Sequence, residues 1–141
     1  MDHRRSYDQK AVDLPLRGAR VLVVEDDPLL LLELESILQD AGAEIVACCR
    51  DVIDGLKVVK GNGLAAAVLD VRIGRATVAP VARELAERGT PFLFYTGQVE
   101  NDPALAEWSD RIVLSKPARP AVIVAAVALL LERSLAKQRA H

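Results

Sequence analysis

Five short apolar runs divide the chain, and amphipathic stretches of helical length separate them. The runs fall at Arg20–Val24, Glu44–Cys48, Ala66–Asp70, Phe92–Tyr95 and Arg111–Leu114. They are rich in Val, Ile, Phe and Tyr and last four or five residues, which predicts strands. Helices are predicted over Pro28–Ala41, Asp51–Lys60, Val78–Arg88, a short Pro103–Trp108, and Arg119–Lys137. Pro28 suits a first helical turn. Asp51 and Asn101 suit helix N-caps, and Asp27 suits a cap or a surface acid rather than a ligand. Gly42 and Gly89 fall where a left-handed stop is wanted. The strands are continuously apolar rather than alternating, so both faces of the sheet are expected to be covered. Five βα units in succession imply an α/β fold with a five-stranded parallel sheet and right-handed crossovers.

The chain has 141 residues, the size of one domain. Residues 1–18 are polar and irregular and are expected to form a flexible N-terminal extension; residues 19–141 carry the fold. Only 4% of residues are aromatic, so the core must be built from Val, Leu, Ile and Ala. The net charge of −2 shows no basic excess and argues against a nucleic-acid surface. Ala121–Leu131, the longest apolar run, is too short to span a bilayer, and no apolar signal core opens the chain. A cytoplasmic protein without membrane contact is expected. Cys48 and Cys49 are sequence neighbours without a CxxC or a His cluster, and read as buried reduced thiols. His3 and His141 lie in tails without an assigned role, and Trp108 reads as packing under a short helix.

Candidate chemistry sits at the ends of the runs. Glu25 and Asp26 follow the first, Asp70 ends the third, Thr96 follows the fourth, and Lys116 follows the fifth after Ser115. A carboxylate at the end of a buried strand is costly unless something pairs with it. In open α/β sheets, ligands bind beyond the carboxyl ends of the strands. Three acids converging there would offer oxygen ligands to a hard cation such as Mg²⁺. Acids, hydroxyl and lysine together are the parts of a phosphoryl-transfer site, which needs charge neutralisation and positioning more than acid–base chemistry. Gly97 leaves room beside Thr96.

With these residues in order, the chain resembles the receiver domain of two-component response regulators, of the stand-alone type. The matching stretches are Val21-Leu22-Val23-Val24-Glu25-Asp26-Asp27-Pro28, Val68-Leu69-Asp70-Val71, Phe94-Tyr95-Thr96-Gly97 and Leu114-Ser115-Lys116-Pro117. The resemblance spans about residues 19–137 and implies a flavodoxin-like three-layer fold with strand order 2-1-3-4-5. It implies that Asp70 accepts a phosphoryl group from a sensor histidine kinase or a histidine phosphotransfer protein. Glu25, Asp26, Asp70 and the backbone carbonyl of Arg72 would hold Mg²⁺, with Glu25 acting mainly through a metal-bound water. Thr96 and Lys116 would hold phosphoryl oxygens, and Lys116-Pro117 would be a cis peptide. The implied output is binding of a downstream protein, with no DNA-binding or enzymatic activity of its own. The alternative is a receiver-like interaction or dimerisation module that is never phosphorylated. A hydrolase using an aspartyl nucleophile is a poorer match, because Arg72 stands where that chemistry wants a second acid. Neither a P-loop nor a dinucleotide fingerprint is present.

Three departures from the family pattern stand out. Val113 occupies the position, three before the lysine, where many receivers carry a mobile aromatic ring; Phe94 or Tyr95 are the rings left nearby. The loop Val71–Thr77 lacks the usual Pro-Gly turn, and Arg72 and Gln98 are expected near the path of an attacking water. Ala121–Leu131 is apolar right round, and in this fold it neighbours Leu29–Leu32; a homodimer through the last helix is expected.

Overall fold

The computed structural model describes residues 14–61, 63–97 and 102–139. Its elements are β1 (Arg20–Val24), α1 (Pro28–Asp40), β2 (Glu44–Cys49), α2 (Val52–Gly61), β3 (Ala66–Leu69), β4 (Arg72–Ile73), β5 (Ala76–Thr77), α3 (Ala79–Glu87), β6 (Phe92–Thr96), a 3-10 helix (Pro103–Trp108), β7 (Val113–Ser115) and α4 (Pro120–Arg139). Five strands form one parallel sheet in the order β2-β1-β3-β6-β7. β6 and β7 are the fourth and fifth strands of that sheet, so the expected 2-1-3-4-5 order and flavodoxin-like three-layer fold are what the chain adopts.

The layering follows from strand alternation. Val21 and Val23 of β1, with Val68, Leu93 and Tyr95, face one core with Leu31, Leu34 and Leu38 of α1 and Ile123, Val127 and Leu130 of α4. Leu22 and Val24, with Leu69, Phe92 and Phe94, face a second core with Val59 of α2, Val81, Ala82 and Leu85 of α3, and Trp108. Trp108 packs edge-on to Phe92, with ring centroids 5.4 Å apart.

Asp27 is the N-cap of α1: its Oδ1 accepts the amides of Leu29 and Leu30 at 2.9 and 3.4 Å, and Pro28 opens the helix. Asp51 caps α2 by accepting the Asp54 amide at 2.8 Å. For the 3-10 helix the cap is Asp102, which accepts the Ala104 amide at 2.9 Å. Asn101, expected in that role, lies outside the described residues, as do His3, Gln98 and His141.

Three differences from the sequence expectations have local causes. Residues 14–18 are not a loose lead-in. Leu16 is 1% exposed, its amide bonds to Ala41 O at 2.9 Å, and Gly18 N reaches Gly42 O at 3.0 Å. Gly42, at φ +102°, lies so close that a Cβ there would stand 2.8 Å from the Arg17 Cα. The rest of the expected extension, residues 1–13, lies outside the described residues. The second difference is the fifth strand, which starts at Val113 instead of Arg111. Arg111 N is used to close a turn onto Trp108 O at 3.0 Å, and its guanidinium stacks 4.3 Å over the Phe92 ring. The third is the segment after Asp70. It is an antiparallel ribbon, with Arg72 opposite Thr77 and Ile73 opposite Ala76. Gly74 turns it at φ +61°, a value most residues avoid. Buried Val71, Ile73 and Val78 anchor it in the second core.

Candidate functional site

β1, β3, β6 and β7 lie side by side, and each delivers a polar residue at its carboxyl end. The backbone fixes where these side chains start. Glu25 N donates to Cys49 O, Asp70 N to Val24 O and Lys116 N to Thr96 O, each at 2.9 Å. These bonds are final rungs of the parallel ladder. The sheet therefore sets the origin of each side chain more firmly than a loop could.

The side chains converge. Lys116 Nζ lies 2.8 Å from Asp70 Oδ2 and 2.8 Å from Glu25 Oε2. Glu25 Oε1 accepts the Asp27 amide at 3.2 Å. Asp26 Oδ2 accepts the Gly74 amide at 2.9 Å, which ties the ribbon to the acids. Glu25, Asp70 and Thr96 are buried, while Asp26 is half-buried and opens the site to solvent. The Lys116-Pro117 peptide is cis, as the resemblance implies. Tyr95 Oη accepts the Ala118 amide at 3.1 Å and braces the chain just past that bond.

Burial pushes the Glu25 carboxyl above its usual range; the Lys116 hydrogen bond opposes this and the charge of Asp70 adds to it. Burial works against the Lys116 ammonium, but its hydrogen bonds to Asp70 and Glu25 outweigh that and raise its pKa. One ammonium thus bridges two crowded carboxyl groups.

Glu25, Asp26 and Asp70 each place one carboxylate oxygen within 4.8 Å of the others. Carboxylate oxygens are the donors a hard divalent cation selects, and a half-exposed Asp26 gives it a route in. The three residues fit Mg²⁺. The sequence placed Glu25, Asp26, Asp70, Thr96 and Lys116 at one sheet edge, and the fold brings them there. The side chain of Arg72 turns to Asp102, with Nη2 2.6 Å from Oδ1 and Nε 3.2 Å from Oδ2. Asp102 was missed by sequence reasoning. Its signal was present in Pro103, since a proline opening a helix makes the preceding residue the cap.

Beyond the main site, the thiols of Cys48 and Cys49 are free; burial pushes them up to about 12 and about 11 respectively. No helix among the described residues is long and apolar enough to cross a membrane.

This arrangement matches known proteins. The family model of the response regulator receiver domain covers residues 21–128. The phyllosphere-induced regulator PhyR of Methylorubrum extorquens is 25% identical over 129 residues, which is 88% of this chain. The chain spans only 48% of that relative's length. The solution structure of SdrG from Sphingomonas melonis Fr1 is 36% identical, with a TM-score of 0.71 over 83% of this chain and 98% of that one. A response regulator receiver protein from Sinorhizobium medicae is 28% identical, with a TM-score of 0.75 over 83% of this chain and 97% of that one. With four strand ends supplying the acids, hydroxyl and lysine in the family's order, and most of the chain matched, the protein belongs to the response regulator receiver domain family.

Proposed function

We propose that this receiver domain accepts a phosphoryl group on Asp70 from the phosphohistidine of a sensor kinase or a histidine phosphotransfer protein, and signals by binding a downstream protein. The observation that carries this reading is the Lys116 ammonium held 2.8 Å from both Asp70 and Glu25 at the open edge of the sheet. An Asp70 oxygen attacks phosphorus, the N–P bond to histidine breaks, and the product is an acyl phosphate. Two anions must approach for this to happen, so positive charge has to be in place beforehand. Lys116 supplies one such charge, on a stem flexible enough to follow the phosphoryl oxygens. Thr96 sits on the neighbouring strand to donate its hydroxyl to another oxygen. Glu25, Asp26, Asp70 and the Arg72 carbonyl would hold Mg²⁺, which when bound offsets the remaining repulsion.

The chain's own product is a changed surface; no enzymatic output is assigned to it. An apolar cavity of about 370 Å³ lies between α1 and the start of α4, lined by Leu30, Leu34, Ile37, Tyr95, Pro117 and Ile123. Leu29 and Leu32 stand exposed on α1, and Val122, Leu129 and Leu135 on α4. These surfaces support a protein partner, and the α4 residues support a homodimer. A cytoplasmic location fits a kinase or phosphotransfer donor.

The test is intact mass after incubation with acetyl phosphate and Mg²⁺. A gain of one phosphoryl group is expected, lost on chelation of the metal and absent in Asp70→Ala. A gain that survives in Asp70→Ala would overturn the assignment. Binding of beryllofluoride with Mg²⁺, without phosphorylation by acetyl phosphate, would point to a strict need for a protein donor. Failure of both would leave a non-phosphorylated interaction module.

A further inference from the structure

Arg72 stands two residues beyond Asp70, and its guanidinium grips Asp102 with two nitrogens on two oxygens. The Asp102 side chain is only 2% exposed, whereas that of Arg72 is 44% exposed. The same Asp102 Oδ1 caps the 3-10 helix through Ala104 N at 2.9 Å. One carboxylate, covered in this pairing, is therefore shared between a cation two residues from the phosphoacceptor and the start of a surface helix. The far end of that helix is Trp108, whose ring rests on Phe92 and Phe94 of β6, with centroids 5.4 and 6.4 Å away. β6 itself ends at Thr96.

β7 reads Val113-Leu114-Ser115, so it offers no aromatic ring to swing behind Thr96. A signal from Asp70 needs another conduit, and the ribbon supplies one. It is tied to the acids through Gly74 N on Asp26 and to the 3-10 helix through Arg72.

We propose that the Arg72–Asp102 pair is the relay of this domain: phosphorylation of Asp70 draws the Arg72 guanidinium off Asp102 and onto the phosphoryl oxygens, untying the 3-10 helix from the ribbon. The relay rests on the reading of Asp70 as phosphoacceptor. The chemistry favours the exchange. A guanidinium forks onto phosphate oxygens as readily as onto a carboxylate. Phosphorylation replaces a singly charged carboxylate with a group of about two negative charges, within two residues of Arg72. Asp102, once abandoned, loses the cation that covers it and is free to turn to water. The 3-10 helix then loses its tie to the ribbon, and the surface around Pro103–Trp108 changes. In the resting state, the Arg72 guanidinium is committed to Asp102.

Trp108 is the chain's single tryptophan and reports directly on this helix. The experiment compares Trp108 emission with and without Mg²⁺ and beryllofluoride, at a concentration saturating each variant, with binding followed separately by ¹⁹F NMR. The wild type is expected to shift its emission on binding. Arg72→Ala is expected to lose more than half of that shift, and Arg72→Lys, which keeps the charge without the fork, to regain part of it. Asp102→Asn, checked for an intact fold by circular dichroism, is expected to resemble the bound wild type before any ligand is added. A full-sized shift in Arg72→Ala with beryllofluoride bound would overturn the relay while leaving the phosphoacceptor reading intact. Failure of the wild type to bind beryllofluoride would remove that reading and the relay together.

Discussion

Lys116 meets Glu25 across 91 positions of sequence, nitrogen to oxygen at 2.8 Å, and the pair is nearly closed to water. The contact joins the first strand of the sheet to the last. It leaves the ammonium free to face Asp70 at the same distance. Replacing Lys116 with Met would strand two buried acids without a cation. The expected loss of stability at pH 7 is about 2–3 kcal/mol, read from urea unfolding. Part of it should return as pH is lowered, because burial raises the Glu25 pKa and the variant lacks the lysine that opposes this. An unchanged unfolding midpoint at pH 7 would show that the lysine does not hold the acids together.

Asp70→Asn should act in the opposite direction. It removes one of two like charges crowded around a single cation, and the new amide keeps the shape. The expected gain is about 1 kcal/mol, or about 3 °C in Tm, by calorimetry without metal. The same variant should bind Mg²⁺ at least tenfold more weakly, so added metal should raise the Tm of the wild type but barely that of the variant. A variant less stable than wild type in metal-free buffer would contradict this account.

The acid and alkaline limbs of stability should report different residues. The amide of Ala104, and then Arg72, hold the Asp102 carboxyl below its usual range. Its contribution is therefore present above the unfolded value near 3.8 and lost as pH falls through the lower folded value. Lys116 is raised, so its contribution is present below about 10.5 and lost as pH rises through the higher folded value. Asp102→Asn should flatten the acid limb alone. Lys116→Met should flatten the alkaline one. Chemical denaturation at a series of pH values measures both.

Cys48 and Cys49 should be unreactive in the folded protein. With thiol pKa values pushed to about 12 and about 11, little thiolate exists near neutrality. Modification by a maleimide at pH 7.5, followed by mass spectrometry, should run at least a hundredfold slower than for free cysteine. Both should label at once in denaturant. Fast labelling of the native chain would mean that β2, at the sheet's edge, opens readily.

How much of this was legible in the sequence depends on period and context. Glu25, Asp26, Asp70, Thr96 and Lys116 were legible because each polar residue interrupts or closes an apolar run, and strand ends converge in a parallel sheet. The β4–β5 ribbon was not, because strands of two residues have no periodicity to read. Gly74 was its one local mark. The partnership of Arg72 with Asp102 was out of reach for another reason: it joins residues 30 apart through geometry that only the folded ribbon creates. Leu16 was lost in a polar lead-in, since two leucines flanking a proline carry no pattern until the chain turn at Gly42 gives Leu16 a place to dock.

The rungs that hold Glu25, Asp70 and Lys116 belong to the sheet alone. The helices outside it contribute cover and contact surfaces, but none of these anchoring bonds. The site and the outer surfaces are thus built on separate parts of the fold. Substitutions on the outer faces of α1 or α4 can reshape the surface while the acids and the lysine stay where they are. Chains built this way can share one arrangement of acids and lysine at the sheet and still differ entirely in the surfaces they present.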